Sequence, residues 1–331
     1  MKVYKHMFLF IILVLLQTKV LAENSAIVLM YHNFNDVKNI STNIKPSTFE
    51  NQMTYLKKNN YNVLKLSLLH DFFTNGKKIP EKSVFITIDD GYRSVFNIAY
   101  PILKKHKFPF SVFISAKYIS NNKNSDFMSW QMLKKLKKDG VEIYNHTYDH
   151  KSLNLMSNNE IIENIEKNHS ILSNKVGVDL NFFSYPYGES NLQNEKLLKQ
   201  LGFSLAFSQH SGIINMNSNK FRLPRFSLNE KYGAIDRFTM ILKLLPLEVI
   251  KENIPGTTIS KENDFYIFST RFVSSQIQCF TGNGKIINKE IENGNIKIKI
   301  KDFKKGRNKI NCTYKDEKDR LFWLSKLFYK I

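Results

Sequence analysis

Between Ala26 and Phe207 the chain carries six short apolar runs: Ala26–Met30, Val84–Ile88, Phe110–Ile114, Val141–Tyr144, Phe182–Ser184 and Ser204–Phe207. Each is rich in β-branched or aromatic residues and dry on both sides, as strands buried within a parallel sheet are. The stretches between them carry helical spacing. Ser47-x-x-Glu50 and Ser157-x-x-Glu160 are capping-box patterns. The first is followed by Phe49, Met53 and Leu56 on one helical face, the second by Ile161, Ile165 and Leu172. Gly202 after Leu201 reads as a helix stop. Strand–helix alternation continued to about Leu245 implies a parallel α/β sheet or barrel.

The pattern changes near Pro246. Residues 246–262 hold two prolines, a Gly-Thr-Thr and few large apolar groups, and read as a linker. Beyond them the hydrophobic period drops to two, most plainly in Ile296-Lys-Ile-Lys-Ile-Lys301, and Asn283-Gly284 and Asn293-Gly294 are hairpin-turn signals. Residues 263–331 are therefore expected to form a small all-β domain with a charge of +8. So few residues make a marginal core. The two cysteines of the chain, Cys279 and Cys312, both lie in it, and in an oxidising compartment they are expected to pair.

Export is what the N-terminus implies. Lys2 and Lys5 precede the apolar run Met7–Leu16, and Val20-Leu21-Ala22 offers a small residue at a cleavage point. Ten apolar residues are too few for a bilayer span, which needs ~20, so residues 1–22 read as a signal peptide and the remainder as periplasmic or extracellular. The whole chain has a formal charge of +20; removing residues 1–22 takes Lys2, Lys5 and Lys19 and no acidic residue, leaving +17. That balance suits an anionic envelope surface, to which binding would be salt-sensitive. Nucleic acid is not expected as a partner, because the chain is exported and no dense Arg/aromatic patch occurs.

Three groups of residues carry chemistry. Asp89-Asp90-Gly91 directly follows the run Val84–Ile88, at the strand end where α/β folds place their active sites. His146-Thr-Tyr-Asp-His150 follows Val141–Tyr144, and its two histidines converge if the segment makes one helical turn. An Asp with two His would form a facial set of three metal ligands with open positions for water and substrate. Ser184-Tyr185-Pro186-Tyr187-Gly188 would form a rigid turn at another strand end. His70, His106 and His169 stand alone and are assigned no role. Tyr92 and Trp130 offer faces for sugar stacking, although aromatic residues so placed more often pack in a core.

Together these groups resemble the polysaccharide deacetylases of carbohydrate esterase family 4, the NodB-homology group. Thr87-Ile88-Asp89-Asp90-Gly91 is similar to T-F-D-D-G, with Ile for Phe. His146–His150 matches H-[ST]-x-x-H, and Ser184–Gly188 is similar to R-x-P-Y-G, with Ser184 in place of Arg. Leu29-Met30-Tyr31-His32, the F-x-Y-P-Y-G form of the third motif and Arg222-Leu-Pro-Arg225 look like the exported poly-β-1,6-N-acetylglucosamine deacetylase branch. The usual L-x-H motif has no counterpart after Leu228. The resemblance spans about Ile27 to Leu228 and implies a distorted (β/α) barrel of the NodB type, here followed by the small β domain. It further implies hydrolysis of N-acetyl groups on an N-acetylated polysaccharide, assisted by a divalent ion: zinc first, with iron, cobalt or nickel accepted by the same ligands. Asp90, His146 and His150 would hold the ion. Asp89 would be the general base, His32 the general acid, and the backbone N–H of Tyr187 an oxyanion donor. Arg225 would replace the arginine missing at Ser184. Two other readings remain: an amino-sugar glycan of another kind, such as peptidoglycan, as substrate, and a glycan-binding protein that has lost catalysis, supported only by that missing arginine.

Overall fold

The computed structural model describes residues 24–36, 39–119, 125–177 and 182–331, so the expected signal segment 1–22 lies outside the described residues. Seven strands form one parallel path: β1 (Ala26–Tyr31), β2 (Ser83–Ile88), β3 (Ser111–Ile114), β4 (Glu142–Asn145), β5 (Phe182–Ser184), β6 (Leu205–Phe207) and β7 (Phe226–Ser227). Their order is β7-β1-β2-β3-β4-β5-β6, with the short strand Asn62–Val63 on the start of β2. The sheet curls toward closure through residues 220–225. Ala206 N–H donates to the Lys220 carbonyl, and a parallel bridge joins Phe207 to Leu223. All six apolar runs expected from the sequence are strands here, shifted by at most one residue at an end, because runs dry on both faces have nowhere to go but the centre of such a sheet. β1 and β2 are buried along their whole length.

Helices pack around the sheet, among them α1 (Pro46–Lys58), α2 (Leu68–Asn75), α3 (Tyr100–His106), α4 (Trp130–Lys138), α5 (Asn158–Val176), α6 (Leu192–Gln200) and α7 (Ile235–Ile241). The α5 capping box forms as expected, with Ser157 and Glu160 exchanging hydrogen bonds. The one expected at Ser47 does not. Pro46, whose fixed φ suits the first helical position, starts α1 two residues earlier behind Lys45, and the Glu50 carboxylate instead meets Lys105 at 2.7 Å.

Residues 246–262, expected as a linker, also differ. Leu245–Pro246 and Thr258–Ile259 pair in parallel with the long strand Leu321–Lys330, while Lys251–Glu252 joins a second sheet against Phe265–Ser269. The reason is physical: an open edge along a ten-residue strand attracts any extended chain nearby, and Leu247, Ile254 and Ile259 bury their side chains in the C-terminal core. In that core Cys279 and Cys312 face each other across an antiparallel pair and form a disulfide. Closing a loop of this length stabilises a small domain by about 3–4 kcal/mol. The Asn293-Gly294 turn joins Lys289–Glu292 to Asn295–Lys299 with both residues at positive φ, as the hairpin signal required.

Candidate active site

The site is assembled at the C-terminal ends of β1, β2, β4 and β5. After β2 the chain leaves the sheet abruptly: Asp89 N–H still donates to the Tyr31 carbonyl, but Asp90 and Gly91 follow at φ 73° and 91°. Asp tolerates the left-handed region better than most residues. Gly91 is required there, since a Cβ would stand 3.0 Å from both Ile114 Cδ1 and Ile119 Cδ1. Adjacent carboxylates are thereby sent to different places.

Asp90 turns toward the two histidines. His146 Nε2 lies 3.4 Å and His150 Nε2 3.2 Å from Asp90 Oδ1, and the three ligand atoms fall within 4.8 Å of one another. The histidines converge, but not through a helical turn. Thr147 and His150 both take positive φ, and the loop is pinned by Asn145 Oδ1 accepting from Thr147 N–H and Thr147 Oγ1 accepting from His150 N–H. His146 Nδ1 stands 2.7 Å from the Ser184 carbonyl, which can only accept. Nδ1 therefore carries the proton, and Nε2 presents a lone pair toward Asp90. Both His146 Nε2 and Asp90 Oδ1 are buried without a hydrogen-bond partner. Two acceptors facing each other in a dry site need a proton or a cation between them, and two imidazoles with one carboxylate are a donor set that suits a divalent ion. Burial works against the Asp90 charge, yet the imidazoles of His146 and His150 beside it hold its carboxyl well below the usual range. Burial likewise disfavours imidazolium at His146, but Asp89 and Asp90 raise its pKa above the usual value.

Asp89 turns the other way, into a fully buried pair. Arg225 Nη1 donates to Oδ1 at 2.8 Å and Nη2 to Oδ2 at 2.7 Å, with both side chains 0% exposed. The guanidinium also donates to Ser184 Oγ (2.8 Å), Thr87 Oγ1 (3.3 Å) and the Ser208 carbonyl (3.1 Å). Ser184 Oγ in turn donates to Asp89 Oδ2 at 3.2 Å. Ser184, where the family motif has arginine, thus shares its place with a guanidinium arriving from just before β7. Burial would raise the Asp89 pKa, but the charges of Arg225 and His146 prevail and it is lowered. Asp89 Oδ2 is 4.0 Å from His146 Nε2.

An open cleft of about 980 Å³ begins at these ligands, lined by His32, Asp90, His150 and Tyr187. His32 follows β1 and lies within electrostatic reach of Asp90, Asp89, Arg225 and His146; burial lowers its pKa despite the two carboxylates. Tyr187 sits at φ 59° in a 3₁₀ turn, its ring 4.7 Å from that of His150. This turn has no slack: a Cβ on Gly188 would stand 2.3 Å from Gln209 N. Of the two expected stacking residues, Tyr92 lines the cleft, stacked on Phe127. Trp130 opens α4 and packs against the barrel core instead. Trp323 and Phe280, from the C-terminal sheets, supply aromatic faces to the cleft.

Sequence reading missed the residues that hold the histidine loop. Asn168 on α5 accepts from Ala116 N–H and donates to the Ile114 carbonyl and Asn145 Oδ1, while Asn164, one turn earlier, accepts from Tyr148 N–H and donates to Asp149. The signal was present as a polar residue among Ile161, Ile165 and Leu172 on the buried face of α5. Asn168→Ala strands the buried Ala116 N–H, at a cost of about 1–3 kcal/mol, while the Ile114 carbonyl keeps His146 N–H and Asn145 Oδ1 keeps Thr147 N–H. A loss of about 1–3 kcal/mol in denaturant unfolding is expected, together with weaker metal binding. Unchanged metal affinity would separate this asparagine from the site.

A family model described as polysaccharide deacetylase matches residues 76–206. A curated relative, the poly-β-1,6-N-acetyl-D-glucosamine N-deacetylase of Staphylococcus aureus (strain MRSA252), is 31% identical; the match covers 67% of this chain and 83% of the relative. Among solved structures, IcaB from Ammonifex degensii superimposes with a TM-score of 0.60 at 23% identity, covering 66% of this chain and 97% of that one. The Streptococcus pyogenes deacetylase PplD, in complex with acetate, gives a TM-score of 0.61 at 19% identity, covering 66% and 99%. At such identities these two likenesses speak to the fold: a parallel-stranded barrel with helices, of the NodB type.

Proposed function

The chain belongs to the polysaccharide deacetylase family, and from that membership we propose that it hydrolyses the N-acetyl groups of an N-acetylglucosamine polymer of the poly-β-1,6-linked kind, releasing acetate. The observation that carries this is the division of labour at the end of β2: one carboxylate faces two histidines, and its neighbour is locked to a buried guanidinium.

Asp90, His146 and His150 would hold a divalent ion, with zinc as our assignment for two imidazoles and one carboxylate; iron, cobalt and nickel accept the same donors. When bound, such an ion supplies Lewis acidity to the acetamide carbonyl and acidifies water at the site. The protein supplies the rest. Asp89, kept ionised by Arg225, takes up the proton of the attacking water. Arg225 fixes that carboxylate by two-point contact, a geometry a lysine cannot reproduce. The backbone N–H of Tyr187, presented by a turn that Gly188 and Gln209 hold tightly, steadies the developing oxyanion; a well-placed donor of this kind is worth about 3–4 kcal/mol. His32, on the cleft wall and favouring its neutral form, takes up the proton that Asp89 removed from the water and delivers it to the leaving sugar amine, which returns Asp89 to its ionised form. The disulfide suits an exported, periplasmic or extracellular setting.

The test is acetate release from β-1,6-linked N-acetylglucosamine oligomers. Chelation should cut release at least 100-fold, and zinc should restore it. Folded protein that retains the ion and releases no acetate from these oligomers would refute the substrate assignment.

A further inference from the structure

The cleft does not end with the barrel. Its far wall comes from the C-terminal sheets, through Arg307 and Lys309 on the strand Gly306–Lys315 and the hairpin Thr281–Gly284. Lys231 and Arg237 face the same cleft from the barrel side, both against the ring of Tyr232. Four cations therefore line one cleft, and the only carboxylate among its described lining residues is Asp90, which is committed to the two histidines. Among the described residues none of the four cations makes an ion pair. Glu189 lies within electrostatic reach of Arg307 but is buried and hydrogen-bonded to Ser152. The crowding of like charge is visible at Lys309, whose ammonium donates to the Gln209 carbonyl at 3.0 Å. Burial, with Arg307 and Arg237 nearby, pushes its pKa down to about 8.

Resting on the deacetylase reading above, we propose that this wall is a charge filter: Lys231, Arg237, Arg307 and Lys309 admit N-acetylated stretches of glycan and reject stretches that already carry a free amine. Each turnover replaces a neutral acetamide with an amine, which is largely protonated at neutral pH. An ammonium group held among uncompensated cations in a partly desolvated cleft is repelled more strongly than in water. A unit beside an earlier product is thereby disfavoured, deacetylation is spaced along the polymer, and the product leaves readily. Filtering is shared by the C-terminal sheets, through Arg307 and Lys309, and the barrel side of the cleft, through Lys231 and Arg237, while the chemistry stays in the barrel.

The experiment compares kcat/KM for acetate release from two β-1,6-linked pentamers at pH 7 and low salt, one fully acetylated and one carrying a single internal glucosamine. Wild-type protein should favour the fully acetylated pentamer at least 10-fold. The preference should fall to 3-fold or less in Arg307→Gln and Lys309→Gln, survive in the charge-retaining Arg307→Lys, and shrink in wild type at 0.5 M salt as screening takes over. The salt arm needs no variant to fold. A wild-type preference below 2-fold, or one indifferent to salt and to both glutamine variants, overturns the filter while leaving the deacetylase reading intact. No acetate from the fully acetylated pentamer overturns the deacetylase reading and the filter with it.

Discussion

Asp89→Asn is expected to lower acetate release by roughly 10³-fold while the protein still binds its metal, because a positioned general base contributes about 10²–10⁴ and none of the three metal-facing side chains is touched. Stability should fall too. The neutral amide leaves the Arg225 guanidinium, 0% exposed, without a counter-charge, and breaking a buried pair in this way costs about 3–5 kcal/mol. The two consequences separate in a second variant: Asp89→Asn/Arg225→Met should recover part of the stability and none of the turnover. Metal content, denaturant midpoints and acetate release, measured together, check all three statements. Near-normal turnover in Asp89→Asn would mean that another group takes the proton.

His146→Ala is expected to lose metal and turnover together, with metal affinity down at least 100-fold. His146 is the ligand with the least freedom: its ring is wholly buried, and its Nδ1 proton is held by the Ser184 carbonyl. The same residue contributes to the pH dependence of metal binding in the wild-type protein. In the metal-free site its pKa is raised above 6.5 by Asp89 and Asp90, although burial opposes this, and protonated Nε2 cannot ligate. Affinity should therefore be full at alkaline pH and decline as the pH falls through that raised pKa. Asp90, held well below 3.8, stays ionised throughout and adds nothing to the decline. Binding titrations between pH 8 and 5 read this directly. A flat profile, or a His146→Ala protein that keeps its metal, would take the residue out of the ligand set.

Sequence alone determined the barrel strands and the chemical groups. Runs apolar on both faces are legible because a parallel sheet leaves them no solvent side, and motifs sited just after such runs inherit their position at the strand ends. Asp89, Asp90, His146 and His150 were therefore locatable from spacing, and Arg225 from a vacancy in a motif. Tertiary structure decided what depends on contacts distant in sequence. The two neighbouring carboxylates diverge because of a left-handed bend at Asp90 and Gly91, and the histidines meet through a loop pinned by asparagines rather than through a helical turn. Arg225 reaches Asp89 across 136 positions, which no local pattern records. Residues 246–262 looked like a linker because two-residue strands have no periodicity of their own; they exist only where Leu321–Lys330 offers an edge. The positive wall of the cleft is likewise a product of folding, because it joins residues from 231 to 309 whose charges, read along the chain, are indistinguishable from a general excess of lysine.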